Sequence, residues 1–289
     1  QVMIDLEEAA ELLKMNDPIM KGVDVLKANN VNSFWGYRAL RLNYYAVKLL
    51  AARAYLYVNN KEEALKAAKE VIEVQEQLFP WADIADISVA GENVDRMFST
   101  ELVFALQNVN RKSIYTKYFD SENVKIGTLL ACNQKVADDY IFNNEYSDLR
   151  YKIWLDKNVE IEGGIYKEVM KYQATSADSL YSQLIPMLRV SEAFYIAAEC
   201  EGEEDKNAGI VWLNKVRNAR SLQGVQWYDY ESTLESEYMR EFIGEGQTFF
   251  FYKRKNYNEL SSAYDPYEII SMSATDYILW IPENETKYN

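Results

Sequence analysis

The stretch RLNYYAVKLLAARAYLYVNNKEEALKAAKEVIEVQEQL, residues 41–78, constrains the fold more than any other part of the chain. Leu42, Tyr45, Leu49, Ala52 and Leu56 recur at helical spacing until Asn59-Asn60 breaks the pattern. A second helix then carries Ala64, Ala67, Ala68, Val71 and Ile72 on one face. Small alanine side chains let two helix axes approach closely, and so short a connection makes the helices antiparallel. A long helix, a tight turn and an alanine-faced return are the outline of a tetratricopeptide-type hairpin.

The outline recurs in PMLRVSEAFYIAAECEGEEDKNAGIVWLNKVRNARS, residues 186–221. Here a helix from Val190 to Cys200 meets the acidic loop Glu201 to Asp205, and Ala208 to Ala219 returns. Helices from Leu6 to Leu13 and from Thr233 to Ile243 extend the frame, without a strict repeat period. Residues 80–185 have another texture: ELVFALQNV, RYKIWL and IYKEVMKYQ alternate as strands do, the last two around a Gly163-Gly164 turn. The pattern predicts a mainly α fold of tetratricopeptide-like helical hairpins with an irregular, strand-containing insertion. Long insertions in a scaffold often carry binding function, so a site is expected there.

Histidine is absent from the 289 residues, which excludes Ser-His-Asp and Cys-His nucleophile systems and His-bearing zinc sites. Carboxylate-only chemistry such as glycoside hydrolysis stays open, as does a calcium site of oxygen ligands. The acidic stretches EYSDLR and CEGEEDKN lack the ligand order of an EF-hand loop, so no metal is assigned, and no cofactor is called for. A formal net charge of −14 with no basic stripe argues against nucleic acid and anionic membrane surfaces as partners. Cys132 and Cys200 read as buried free thiols, with one bridge between them as the alternative. No apolar run is long enough to span a membrane, and QVMIDLEEAAELL reads as an amphipathic helix rather than a leader. A processed or incomplete chain is the expectation.

EYMREFIGEGQTFFFYKRK, residues 237–255, sets Glu237, Glu241 and Glu245 at four-residue spacing on one helical stripe. A retaining glycosidase needs two carboxylates about 5–5.5 Å apart on opposite sides of a sugar bond, and side chains stacked along one helix flank nothing. The spacing reads as a salt-bridged face with Arg217, Arg240, Lys253 and Arg254 as partners, ended by Gly244 and Gly246 where positive φ costs little. No catalytic residue is assigned.

Phe249 to Tyr252, Trp35, Trp212 and Trp280 sit in apolar or helical patterns and read as core. Other aromatics lie in polar surroundings: Trp81 after Pro80, Tyr115 and Tyr118 in NRKSIYTKYF, Trp154 and Tyr166 around DKNVEIEGG, and Trp227, Tyr228 and Tyr230 in QWYDY. The chain holds 23 tyrosines, more than a core of this size absorbs. A sugar ring stacks its C–H face on an aromatic plane and leaves its hydroxyls to Asn, Arg and Asp. These aromatics are therefore the ligand-binding candidates, and the same features suit a protein interface.

Six stretches carry a family resemblance: SFWGYRALRLNYYAVKLLAARAYLY, DRMFSTELVFALQ, LRVSEAFYIAAE, LNKVRNAR, EYMREFIGEGQTFFFYKR and ILWIPENETKYN. In this order and spacing the chain resembles SusD/RagB proteins, the surface nutrient-binding lipoproteins of Gram-negative bacteria, in their central and C-terminal portion. The resemblance implies one SusD-like domain over 1–289, with a helical hairpin region at 1–79, the irregular insertion at 80–185, and a helical hairpin with the signature region at 186–289. It implies a non-enzymatic protein that captures oligosaccharide at the outer-membrane surface and delivers it to a SusC-like TonB-dependent transporter. It also implies a signal peptide and a lipid-bearing cysteine ahead of the present sequence. A peptide-binding member of the family, a carboxylate-dependent glycoside hydrolase and a pure interaction scaffold are the alternative readings.

Overall fold

Helix α1 (Val2–Asn16) runs into Asp17, whose buried carboxylate accepts hydrogen bonds from Arg38 Nε at 2.7 Å, Tyr44 N at 2.8 Å and Ile19 N at 3.1 Å. That one side chain joins the end of α1 to the start of α2 (Tyr44–Tyr57). The computed structural model describes residues 1–21, 38–87, 94–123, 128–161, 163–173, 180–279, 281–282 and 285. Asn43 caps α2 by accepting from Ala46 N, and Asn60 caps α3 (Lys61–Ile72) by accepting from Glu63 N. Asn59 takes φ 61° in the turn between them, a left-handed conformation that asparagine tolerates. Ala64, Ala67, Ala68 and Val71 are all buried, as their spacing predicts.

The single turns α4 (Gln75–Leu78) and α5 (Ile84–Ile87) lead toward β1 (Leu102–Gln107), helix α6 (Arg111–Tyr118) and the short strand β2 (Ala131–Asn133). A π-helical turn follows at Val136–Ile141, then α7 (Leu149–Trp154), β3 (Asn158–Ile161), β4 (Gly164–Glu168) and β5 (Leu184–Arg189). β2, β4 and β3 form an antiparallel sheet in that order, while β1 pairs with β5 from Leu102 opposite Arg189 to Gln107 opposite Leu184. A separate core of Phe98, Phe142, Leu149, Ile153, Trp154 and neighbours lies within this region.

Two expectations change here. RYKIWL is helix α7, not a strand: Asp148 accepts from Arg150 N and caps it, and only Lys152 of the helix faces solvent. Six residues with burial on nearly every side carry no usable period. IYKEVMKYQ is a strand only to Glu168, after which Met170–Tyr172 turns as a 3₁₀ helix.

The second hairpin is α8 (Val190–Gly202) and α9 (Lys206–Ala219), and α3 packs on α8 so that the two hairpins stack. Helices α10 (Tyr230–Glu241) and α11 (Gln247–Lys255) close the frame, followed by the hairpin β6 (Glu259–Ser261) and β7 (Ile269–Ser271). One apolar core runs through these helices from Ile19 to Tyr277. Gly202 and Gly209 face the ring of Tyr230, whose hydroxyl donates to Ala198 O at 2.5 Å; a Cβ on Gly209 would meet Tyr230 Oη at 2.5 Å and Ala198 O at 2.7 Å. In the aromatic run Phe251 and Tyr252 are buried as expected, but Phe250 is exposed because a helix turns one residue in each run of four outward. Trp35 and Trp280 lie outside the described residues. Cys132 and Cys200 are free thiols.

Candidate functional site

Helix α10 organises the polar interior. Glu237 accepts from Arg217 Nη1 at 2.9 Å and pairs with Arg150 Nη1 at 2.8 Å; Glu241 pairs with Arg150 at 3.0 Å and Arg220 at 2.8 Å. Glu245, in the turn beyond the helix, takes Lys171 Nζ at 2.6 Å and Arg189 Nε at 2.7 Å. The salt-bridged reading of these carboxylates holds for Arg217 and Arg240, whereas Arg254 pairs with Glu199. The main partners Arg150, Lys171, Arg189 and Arg220 come from distant segments. Burial alone would raise both carboxyl pKa values, but Arg150 and Arg240 beside Glu237, and Arg220 and Arg150 beside Glu241, hold them well below the usual 4.5. Lys171 is pulled down to about 8 by burial, against the pull of Glu245.

On the outer side of this network lies a polar cleft of about 540 Å³. Arg217 and Arg240 form its floor, both held by Glu145 at 2.7 Å. Asp139 and Tyr140 of the π-helical turn and Asp229 and Glu235 of the α10 region supply its walls. Tyr140 and Tyr257 each donate a hydroxyl to Glu235 at 3.1 Å, which fixes that carboxylate in place. The rim segment from Gln223 to Gln226 is pinned by Arg217 Nε to Gln223 O at 2.9 Å and by Val225 N to Asn214 Oδ1 at 2.9 Å.

Exposed aromatic rings neighbour the lining residues. Trp227 and Tyr228, between the lining residues Gln226 and Asp229, are 62% and 68% exposed, with ring centroids 6.2 Å apart and nearly perpendicular. Tyr267, 77% exposed, donates its hydroxyl to Asp139 Oδ2 at 3.3 Å and so reaches the cleft from the β6–β7 hairpin. The cleft lining itself is mainly polar, and Trp227 and Tyr228 adjoin it along the chain without lining it.

The other sequence candidates are placed differently. Tyr115 is buried with its hydroxyl on Glu168, and Tyr230 is the buried wedge between α8 and α9. Trp154 is fully buried, stacked on Phe98 at 5.0 Å, donating Nε1 to Arg96 O and covered by Lys171 Nζ at 3.9 Å. These three rings are enclosed by core packing and show no face to a ligand. Trp81 is half-buried against Phe194 at 5.2 Å under the Arg220 guanidinium, and Tyr166 is half-buried in β4. Tyr118 is exposed on α6, which adds no residue to the cleft. The cleft itself is shared between the 80–185 insertion and the C-terminal helices rather than confined to the insertion. Sequence reading missed Tyr140, Glu235 and Tyr267; the YDPY turn, two tyrosines around Asp-Pro, was the available signal for the last.

A second groove of about 460 Å³ lies between α1, α2, α8 and α11, lined by Val2, Met3, Leu50, Leu56, Ile196 and Phe250. Among its polar lining residues Arg53 pairs with Glu192 at 2.6 Å and Arg254 with Glu199, so it offers few groups to a hydroxyl-rich ligand. No helix of the described residues is long and apolar enough to cross a membrane.

Residues 86–288 match the model of the SusD family. A SusD superfamily protein from Bacteroides thetaiotaomicron is similar in structure, with TM-score 0.67 and 19% identity over 86% of this chain and 59% of that one. One from Bacteroides vulgatus gives TM-score 0.67 and 18% identity over 99% and 62%. A SusD-like carbohydrate binding protein from Bacteroides vulgatus gives 0.61 and 16% over 90% and 51%. The chain thus spans between 51% and 62% of the length of these structures. No curated protein matches it. The family model covers most of the chain and the fold is that of SusD superfamily structures, and the chain belongs to the SusD family.

Proposed function

We propose that the chain captures a saccharide in the polar cleft at α10, as part of a surface nutrient-binding lipoprotein that passes oligosaccharide to a TonB-dependent outer-membrane transporter. The observation that carries this reading is the polar cleft with Glu235 held in place by two tyrosine hydroxyls, flanked along the chain by the exposed Trp227 and Tyr228. A pyranose lays its C–H face on an indole or phenol ring, and its hydroxyls meet Asp, Glu, Asn and Arg side chains that are already oriented. Similarity to a protein described as carbohydrate binding supports the same ligand class. The floor arginines are already ion-paired, so binding is expected to order little besides the sugar.

Tryptophan fluorescence, titrated with a panel of oligosaccharides and peptides and followed by chromatography of each mixture, tests the proposal. A saturable change with one glycan class, intact ligand, and loss of the change in Trp227→Phe supports it. Response to peptides alone reassigns the ligand. A cleaved glycan overturns the binding role in favour of hydrolysis.

A further inference from the structure

The segment that leaves the π-helical turn carries two consecutive left-handed residues, Asn143 at φ 47° and Asn144 at φ 58°. A side chain in that region crowds its own backbone, and asparagine is among the few residues with a Cβ that accept it. Such strain persists only where the surroundings hold it. Here Phe142 N donates to Ala137 O at 2.9 Å, Asn144 N to Asp138 O at 2.8 Å and Glu145 N to Phe142 O at 2.8 Å. Glu145 then pairs with Arg217 and Arg240, each at 2.7 Å, so the strained pair is fixed before and behind. Single π-helical turns recur at functional sites, and this one with its exit supplies Asp139, Tyr140, Asn143 and Glu145 to the polar cleft.

The two asparagines differ in what their amides do. Asn144 Oδ1 accepts from the Tyr146 hydroxyl at 2.7 Å, and Asn144 does not line the cleft. Asn143 is exposed and lines it, and among the described residues its amide makes no hydrogen bond. The acidic lining residues around it are already engaged: Asp139 accepts from Tyr267, Glu145 from Arg217 and Arg240, and Glu235 from Tyr140 and Tyr257. An amide carries a donor and an acceptor side by side. Two neighbouring hydroxyls of a pyranose match that pair, one accepting from the NH₂ group and one donating to the carbonyl oxygen.

We propose that Asn143 is the ligand-orienting residue of the cleft, its amide bridging two adjacent hydroxyls of the bound sugar; this rests on the saccharide reading above. The left-handed backbone sets the point from which the amide projects, so binding orders only one short side chain.

Glycine separates the two roles of this residue, because it occupies left-handed backbone without strain and has no amide. Calorimetry with hexasaccharides of neutral glucan, mannan and xylan, beside thermal unfolding, makes the test. Asn143→Gly is expected to keep its melting temperature within about 2 °C and to lose about tenfold in affinity. Asn144→Gly relaxes the neighbouring residue in the same way and is expected to keep its affinity. Equal affinity in Asn143→Gly and the unmodified chain overturns the inference and leaves the saccharide reading standing. An equal loss in Asn144→Gly also overturns it, because the backbone rather than the Asn143 amide would then govern binding. Absence of binding by the unmodified chain overturns both.

Discussion

Glu241 and Arg150 meet at 3.0 Å with neither side chain exposed, although 91 residues separate them. Arg220 reaches the same carboxylate and bridges it to Glu101 at 2.5 Å, so one glutamate holds together the insertion, the α9 end and the segment before β1. Removing one partner of a buried pair strands the others. Glu241→Ala is expected to cost about 3–5 kcal/mol in urea unfolding. A loss under about 1 kcal/mol would show that Arg150 and Arg220 find other acceptors.

The same network sets the response to pH. Glu237 and Glu241 have folded pKa values below the ordinary 4.5, so they contribute stability above that value and lose it as pH falls through their folded values. Lys171 acts in the other direction. Its folded value near 8 lies below the ordinary 10.5, the folded chain releases that proton first, and this group adds stability as pH rises between the two. Melting temperature against pH should fall steeply on the acid side, and Lys171→Met should flatten the alkaline limb between those two values. An unchanged alkaline limb would remove Lys171 from the account.

Tyr230 inserts where Gly202 and Gly209 leave room, and the fit is close enough to read by mutation. Gly209→Ala places a methyl group 2.7 Å from Ala198 O, which is backbone and cannot move aside without shifting α8. Overpacking of this kind costs about 1–3 kcal/mol. Tyr230→Phe, which removes only the hydrogen bond to Ala198 O, should cost about 1 kcal/mol. If Gly209→Ala is neutral in denaturant unfolding, the hairpin has more slack than the contacts indicate.

At the cleft, Trp227→Ala is expected to weaken saccharide binding about tenfold or more by calorimetry, since a single well-placed aromatic anchor accounts for more than about 1.4 kcal/mol. Tyr118→Ala, exposed on α6 away from the cleft, should leave affinity unchanged. Equal losses in both variants would detach binding from this site.

The cleft's charge also predicts a preference. Asp139, Glu145, Asp229 and Glu235 stand against Arg217 and Arg240, whose charges are already engaged by Glu145 and Glu237. Neutral oligosaccharides should bind more tightly than uronic-acid or sulfated ones of equal length, with the gap narrowing at high salt. Tighter binding of an acidic glycan would contradict this arrangement.

The helical hairpins were legible because alanine faces and Asn breaks are local signals, and α2, α3, α8 and α9 follow them closely. RYKIWL misled because its period was too short to separate helix from strand, and the deciding group, the Asp148 cap, stood just outside it. The candidate aromatics divided by tertiary context: nothing beside Tyr230 in QWYDY marks it as a core wedge while Trp227, three residues earlier, faces solvent. Tyr140, Glu235 and Tyr267 come from three segments that meet only in the folded chain, so no spacing in one stretch announces them.

The antiparallel pairing of β1 with β5 makes the chain leave the helical frame and rejoin it at one doorway, Gln107 beside Leu184. An excursion whose two ends are clasped can lengthen or shorten in its surface loops at little cost, because the entropy of closing a loop grows only with the logarithm of its length. The stretch beyond the doorway is nevertheless keyed to the helical frame, because Arg150 and Lys171 carry it onto Glu241 and Glu245.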